Sequence, residues 1–251
     1  MLRRWMAFPL ARVGLGNALR PPAPAGLLPS NITPLNTNAG TPIDFTYETH
    51  TGSFVLLYMA KDSSATVNAP EVITWDFGGG DAALLTIGVR AQGAEGSGRN
   101  IVGIACIKGA VPGSKTLRMA ATASGYSQVT AVAFDLPPWW SGSVGNSGAV
   151  TSNSSLQTLS SPSFDALASD SLIVGIGGAG NGTIGPLTLS GAGGDWGDLA
   201  AGGSSNGSAS GTSSRTGYKR SPGAGQAVVL TATTLASAVS NWGAAALEIR
   251  P

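Results

Sequence analysis

The stretch Ser53-Phe-Val-Leu-Leu-Tyr-Met-Ala-Lys61 decides the fold. It is an apolar run of strand length, closed at each end by a polar residue. Two others match it: Asn100-Ile-Val-Gly-Ile-Ala-Cys-Ile-Lys108 and Val129-Thr-Ala-Val-Ala-Phe-Asp-Leu136. All three are rich in β-branched and aromatic residues, the pattern of a strand. Around them the period is two from about residue 43. Further strands are expected near Ile43–Glu48, Val72–Asp76, Leu84–Gln92, Lys115–Ala123, Leu156–Phe164, Leu172–Ile176, Pro186–Leu189, Thr216–Arg220, Ala227–Thr234 and Gly243–Arg250. Turn residues such as Gly78-Gly-Gly-Asp81 and Pro112-Gly113 separate them, and Pro137–Ser155 and Gly191–Gly217 read as long loops. No stretch holds a 3.6 period. Short strands with regular turn signals predict an all-β, jelly-roll-like β-sandwich over residues 41–251.

The second half repeats the first faintly. Ser53-Phe-Val-Leu-Leu resembles Ser171-Leu-Ile-Val-Gly, Gly79-Gly-Asp81 resembles Gly193-Gly-Asp195, and Lys108-Gly-Ala-Val-Pro-Gly113 resembles Lys219-Arg-Ser-Pro-Gly223. Ala133-Phe-Asp-Leu-Pro137 resembles Leu247-Glu-Ile-Arg-Pro251. The order is kept at a nearly constant offset, so residues 43–137 and 156–251 form candidate halves. Two such Greek-key-like sets can merge into one jelly roll or stand as two stacked sandwiches. Strands of the second half carry more Gly and Ala, which lets sheets approach closely.

Residues 1–40 differ in kind. Trp5, Met6, Phe8 and Leu10 are apolar and follow Arg3 and Arg4; Arg20-Pro-Pro-Ala-Pro-Ala-Gly26 comes after them. Such proline density favours an extended chain that builds no core of its own. The expectation is an N-terminal arm that anchors the body on a partner subunit through those four apolar side chains. Pro9 and Arg12 interrupt the apolar stretch, so no secretory signal is expected.

Composition excludes several chemistries. The 251 residues include one Cys and one His, and 14 Lys plus Arg stand against 13 Asp plus Glu. A net charge of +1 argues against a nucleic-acid partner. One Cys rules out an internal disulfide, and one His with one Cys builds no zinc cage. No apolar run reaches the ~20 residues of a membrane-spanning helix, so no membrane is expected. Charged residues are only 11% of the chain, which suits a protein whose surface is covered by neighbours, including copies of itself.

Individual candidates are weak. His50 lies in a turn without an evident partner, and Cys106 sits inside an apolar run as a small hydrophobe. Asp76 with Asp81, and Asp195 with Asp198, flank glycine turns; paired carboxylates there suit calcium or glycoside hydrolysis, or simply cap the turn. Pro137-Pro-Trp-Trp-Ser141 is the most distinctive motif. Adjacent Trp139 and Trp140 cannot both point inward on an extended chain, so they offer a partner interface, a sugar-stacking face or local packing. No catalytic residue, metal site or cofactor is expected.

In style and layout the body resembles the β-sandwich or jelly-roll virion proteins of tailed double-stranded DNA bacteriophages and phage-derived particles: head spikes, head fibres, decoration proteins and tail appendages. The resemblance runs through Phe54-Val-Leu-Leu-Tyr, Val72-Ile-Thr-Trp-Asp76, Asn100-Ile-Val-Gly-Ile-Ala, Lys115-Thr-Leu-Arg-Met-Ala-Ala-Thr-Ala-Ser-Gly125 and the Ser/Thr-rich second half. It implies a non-enzymatic structural protein of a virion, placed at the particle surface, with capsid or tail subunits as partners. It also implies, as the alternative, recognition of host-surface polysaccharide.

Overall fold

The computed structural model describes residues 29–37, 42–62, 71–76, 83–84, 86–93, 99–121, 126–137, 140, 143–180, 187–203, 212–234 and 240–251. Among them every regular element is a β-strand, and every strand pairing is antiparallel. In the first half, β1 (Ser30–Thr37), β3 (Phe54–Asp62), β6 (Thr86–Gln92), β7 (Arg99–Ile107) and β9 (Tyr126–Asp135) form one sheet in the order β1-β9-β3-β7-β6. The strands β2 (Ile43–Thr49), β4 (Glu71–Trp75), β5 (Ala83–Leu84) and β8 (Gly113–Ala121) form a second, in the order β2-β8-β4-β5.

The second half repeats this plan. Its large sheet takes β10 (Ser143–Ser152), β13 (Leu172–Gly180), β15 (Gly197–Gly203), β16 (Thr212–Arg220) and β19 (Trp242–Arg250) in the order β10-β19-β13-β16-β15. Its smaller layer contains β11 (Thr158–Ser160), β14 (Leu187–Ser190) and β18 (Thr231–Thr234) in the order β11-β18-β14, beside the pair β12 (Phe164–Asp165) and β17 (Ala227–Val228). First strand, last strand and third-strand equivalent occupy the same places in both large sheets.

The large sheets lie face to face. β1 covers β15, β9 covers β16, β3 covers β13, β7 covers β19 and β6 covers β10. Each of these contacts has its reciprocal when the halves are exchanged, which is the signature of a two-fold, isologous interface. The chain is therefore built as a fused pseudo-dimer in four layers: outer, inner, inner, outer.

Strand alternation sorts the side chains into three cores. On β3, Phe54, Leu56, Tyr58 and Ala60 turn to the first outer layer, where Phe54 lies 4.7 Å from Trp75 and 5.1 Å from Tyr47 between ring centroids. Val55, Leu57 and Met59 turn to the seam between halves, against Leu172, Val174 and Ile176. Ile173 and Ala179 turn to the second outer layer with Leu230, Ala232 and Trp242. Both faces of β3 and β13 are buried, so their sequences read as continuous apolar runs. Small residues close the seam: a Cβ on Gly178 would stand 2.4 Å from the Met59 sulfur.

Each half is locked by one buried carboxylate near the end of its last strand. Asp135 is 1% exposed and accepts hydrogen bonds from Tyr47 Oη at 2.8 Å, Thr49 Oγ1 at 2.8 Å and the His50 backbone N–H at 2.7 Å. Glu248 is 0% exposed and accepts from the backbone N–H groups of Leu167 at 2.9 Å, Ala168 at 3.1 Å and Asn146 at 3.3 Å. In each half the carboxylate ties the large sheet to the chain leaving the outer layer, beside a bulge in the first strand.

Several expectations need correction. Residues 30–37 are not arm but β1, paired with β9. Pro34 is tolerated because β1 is an edge strand, where a missing N–H breaks no ladder on the open side. The stretch read as a loop over Pro137–Ser155 holds β10, and that over Gly191–Gly217 holds β15 and part of β16. These strands lack an apolar alternation because they lie at or next to a sheet edge, and pairing with a neighbour overrides weak propensity. The duplication is one residue out of register in the sequence matching. Phe54 turns to the first outer layer and Ile173 to the second, whereas Leu172 turns to the seam, so Ile173 rather than Leu172 stands where Phe54 does. A slip of one residue exchanges the two faces of a strand.

Candidate functional site at the seam between the halves

The two ends of the seam differ. At one, Leu136, Trp140, Leu172 and Ile249 line a shallow apolar depression. Trp140 is only 5% exposed and belongs to the seam core, so it closes the end of the stacked sheets as local packing does. Trp139 lies outside the described residues, as do Trp5, Met6, Phe8 and Leu10.

At the other end the seam turns polar. Lys61, Asn100 and Gln128 sit side by side on β3, β7 and β9, Lys61 being the direct cross-strand partner of the other two. Thr130, next along on β9, shares a hydrogen bond of 2.8 Å with Ser214 on β16 of the other half. Asn241 lies across the seam, in a left-handed conformation with φ 61°, and its carbonyl accepts from Gly180 N–H at 2.9 Å. All six side chains are buried. Burial lowers the Lys61 ammonium below the ordinary lysine range. Neither amide atom of Asn100 has a hydrogen-bond partner, and neither has Gln128 Oε1.

Sequence reasoning missed this cluster. The available signal was positional: Lys61 closes the run that begins at Phe54, Asn100 opens the run to Ile107, and Gln128 precedes Val129. Only the pairing of β3 with both neighbours brings the three together. Chemically the set offers an ammonium, carboxamides and hydroxyls, which hold polar groups by hydrogen bonds.

The remaining candidates are dispersed. Cys106 is buried in the seam core, and burial pushes its thiol up to about 12, which keeps it protonated and inert. The His50 residue is exposed and contributes its backbone N–H to Asp135. Asp76, in a left-handed conformation with φ 50°, is ion-paired with Lys115 at 2.9 Å; Asp81 lies outside the described residues. Asp198 is held in a two-pronged ion pair by Arg215, which keeps its carboxyl below the usual range. Asp195 is exposed in the glycine turn before Trp196. Next to that turn, the buried Lys219 ammonium donates to the Ala192 carbonyl at 2.5 Å and stands 4.6 Å from the centre of the Trp196 ring. Burial brings Lys219 down to about 8. Among the described residues no three His, Cys, Asp or Glu side chains converge in a way that would hold a metal ion.

Compared with protein-family models, with curated proteins and with solved structures, the chain matches none of them.

Proposed function

We propose that this protein is a non-enzymatic structural protein of a phage virion, a head decoration, spike, fibre or tail component, docked on capsid or tail subunits through its N-terminal arm. The observation that carries the reading is the way the fold uses its polar groups. Asp135 and Glu248 tie strands together, Asp76 and Asp198 are ion-paired, and Lys219 clasps a loop. These four acidic groups thus serve cohesion of a nearly uncharged, doubled β scaffold. Rigid scaffolds of this kind suit a particle surface, where function lies in geometry and attachment. The proline-rich, apolar leader ahead of β1 supplies the attachment: burial of Trp5, Met6, Phe8 and Leu10 at ~25 cal/mol per Å² contributes several kcal/mol per copy, and multiple copies add avidity.

The test is a chain lacking residues 1–28, which keeps β1 whole. It is expected to remain soluble and folded by circular dichroism and to be missing from purified particles. Incorporation at the level of the full chain would reject docking through the arm.

A further inference from the structure

We infer that the seam is keyed by side-chain size, so that the face of the first half accepts a second-half face and rejects a copy of itself. The strand β3 lies on its own counterpart, β13. Counting on from Phe54 and Ile173, Val55 holds the place of Val174, Leu57 that of Ile176, Met59 that of Gly178 and Lys61 that of Gly180. The first two steps are matched in size. In the last two a long side chain stands against a glycine: a Cβ on Gly178 would lie 2.4 Å from Met59 Sδ, and one on Gly180 3.3 Å from Lys61 Cδ. The rule extends sideways. Val102 and Thr130 flank Met59 on β7 and β9, whereas Ser214 and Gly243 flank Gly178 on β16 and β19. A Cβ on Gly243 would lie 2.8 Å from Val102 Cβ, and Thr130 meets Ser214 through their hydrogen bond. Larger residues of the first half thus fill the space that smaller ones of the second leave open.

Like halves lack this fit. Two first halves on the same two-fold would set Met59 against Met59 and Lys61 against Lys61, which overpacks the seam and brings two buried ammonium groups together. Two second halves would oppose Gly178 to Gly178 and Gly180 to Gly180, which leaves a cavity. Only unlike halves avoid both penalties, and discrimination between partners rests on such penalties as much as on the fit of the right one. Gly180 and Gly243 lie inside β13 and β19 without a left-handed backbone, so the space opposite them, rather than φ, decides what they can carry.

Each pairing can be built inside the full chain. Gly180→Lys sets lysine against lysine, Lys61→Gly sets glycine against glycine, and the double variant restores unlike pairing with the sides exchanged. Urea midpoints, followed by circular dichroism, are expected to fall in both single variants and to stand higher in the exchanged chain than in either. A purely local role for Lys61 predicts instead that the two losses accumulate. The same cycle with Val102→Gly and Gly243→Val guards against a lysine variant that does not fold. An exchanged chain more stable than both of its single variants, at either pair, sustains the keyed seam. If at neither pair the exchanged chain surpasses both single variants, size does not select the partner and the inference is overturned.

Discussion

Replacing Asp135 by alanine tests the locking role of the buried carboxylates most directly. The substitution removes the acceptor for Tyr47 Oη, Thr49 Oγ1 and the His50 N–H, bonds of 2.8, 2.8 and 2.7 Å. Hydrogen bonds to a charged group contribute about 1.5–3 kcal/mol each, and a buried donor left without an acceptor costs about 1–3 kcal/mol. The three donors are coupled through one carboxylate, so their losses do not simply add. Tyr47 and Thr49 are buried and cannot turn to solvent, whereas His50 at the exposed turn can recruit water. A loss of about 3–5 kcal/mol follows, the range found when one partner of a buried charged network is removed. Urea unfolding of the full chain, followed by tryptophan fluorescence and by circular dichroism, measures it. Trp75 packs in the same core as Tyr47, with ring centroids 6.4 Å apart, so its surroundings change when the first half unfolds. Asp135→Asn keeps the shape but turns an N–H₂ toward at least one donor, so an intermediate loss of about 1.5–3 kcal/mol is expected. If Asp135→Ala lies within about 1 kcal/mol of the wild type, the carboxylate holds nothing together and the lock is an accident of packing.

Three further outcomes follow from the same geometry. Burial, with the Asp135 carboxylate beside it, raises the Tyr47 phenol far above its ordinary value, so the folded state keeps a proton that the unfolded chain releases above about pH 10. Stability is therefore fully present below that pH and falls as pH rises beyond it, and Tyr47→Phe should flatten this fall in denaturation midpoints measured from pH 8 to 11. Cys106, buried and held protonated, should resist iodoacetamide in the native protein and react on unfolding in guanidinium; rapid labelling of the folded chain would contradict its place in the seam. A protease site inserted after Pro137, with the chain then cut, should leave the two halves co-eluting as one body, because the seam buries Val55, Leu57, Val174, Leu247 and their neighbours. Separation of the fragments in gel filtration under native conditions would refute the isologous interface.

How much was legible differed by element. β3, β7 and β9 were plain in the sequence because burial on both faces leaves an uninterrupted apolar run with clear ends. β10 and β15 were not, since Ser143-Val-Gly-Asn-Ser-Gly148 and Gly197-Asp-Leu-Ala-Ala-Gly-Gly203 take their strand form from the partners they pair with rather than from their own side chains. The Trp139-Trp140 motif was conspicuous as text, yet the structure buries Trp140 and gives it a packing role. Lys61, Asn100 and Gln128 were inconspicuous, each a polar residue at the edge of an apolar run, and they acquired meaning only as neighbours.

The order of residues settled the class of structure and carried a faint trace of its doubling, because a period of two and a recurring succession of runs and turns are local properties carried by the chain itself. Tertiary structure alone decided which face of each strand meets the other half, the one-residue shift between repeats, and the gathering of polar groups at one end of the seam. Those depend on contacts between residues far apart in the chain, where a single step of register turns an inward side chain outward and no local signal records the choice.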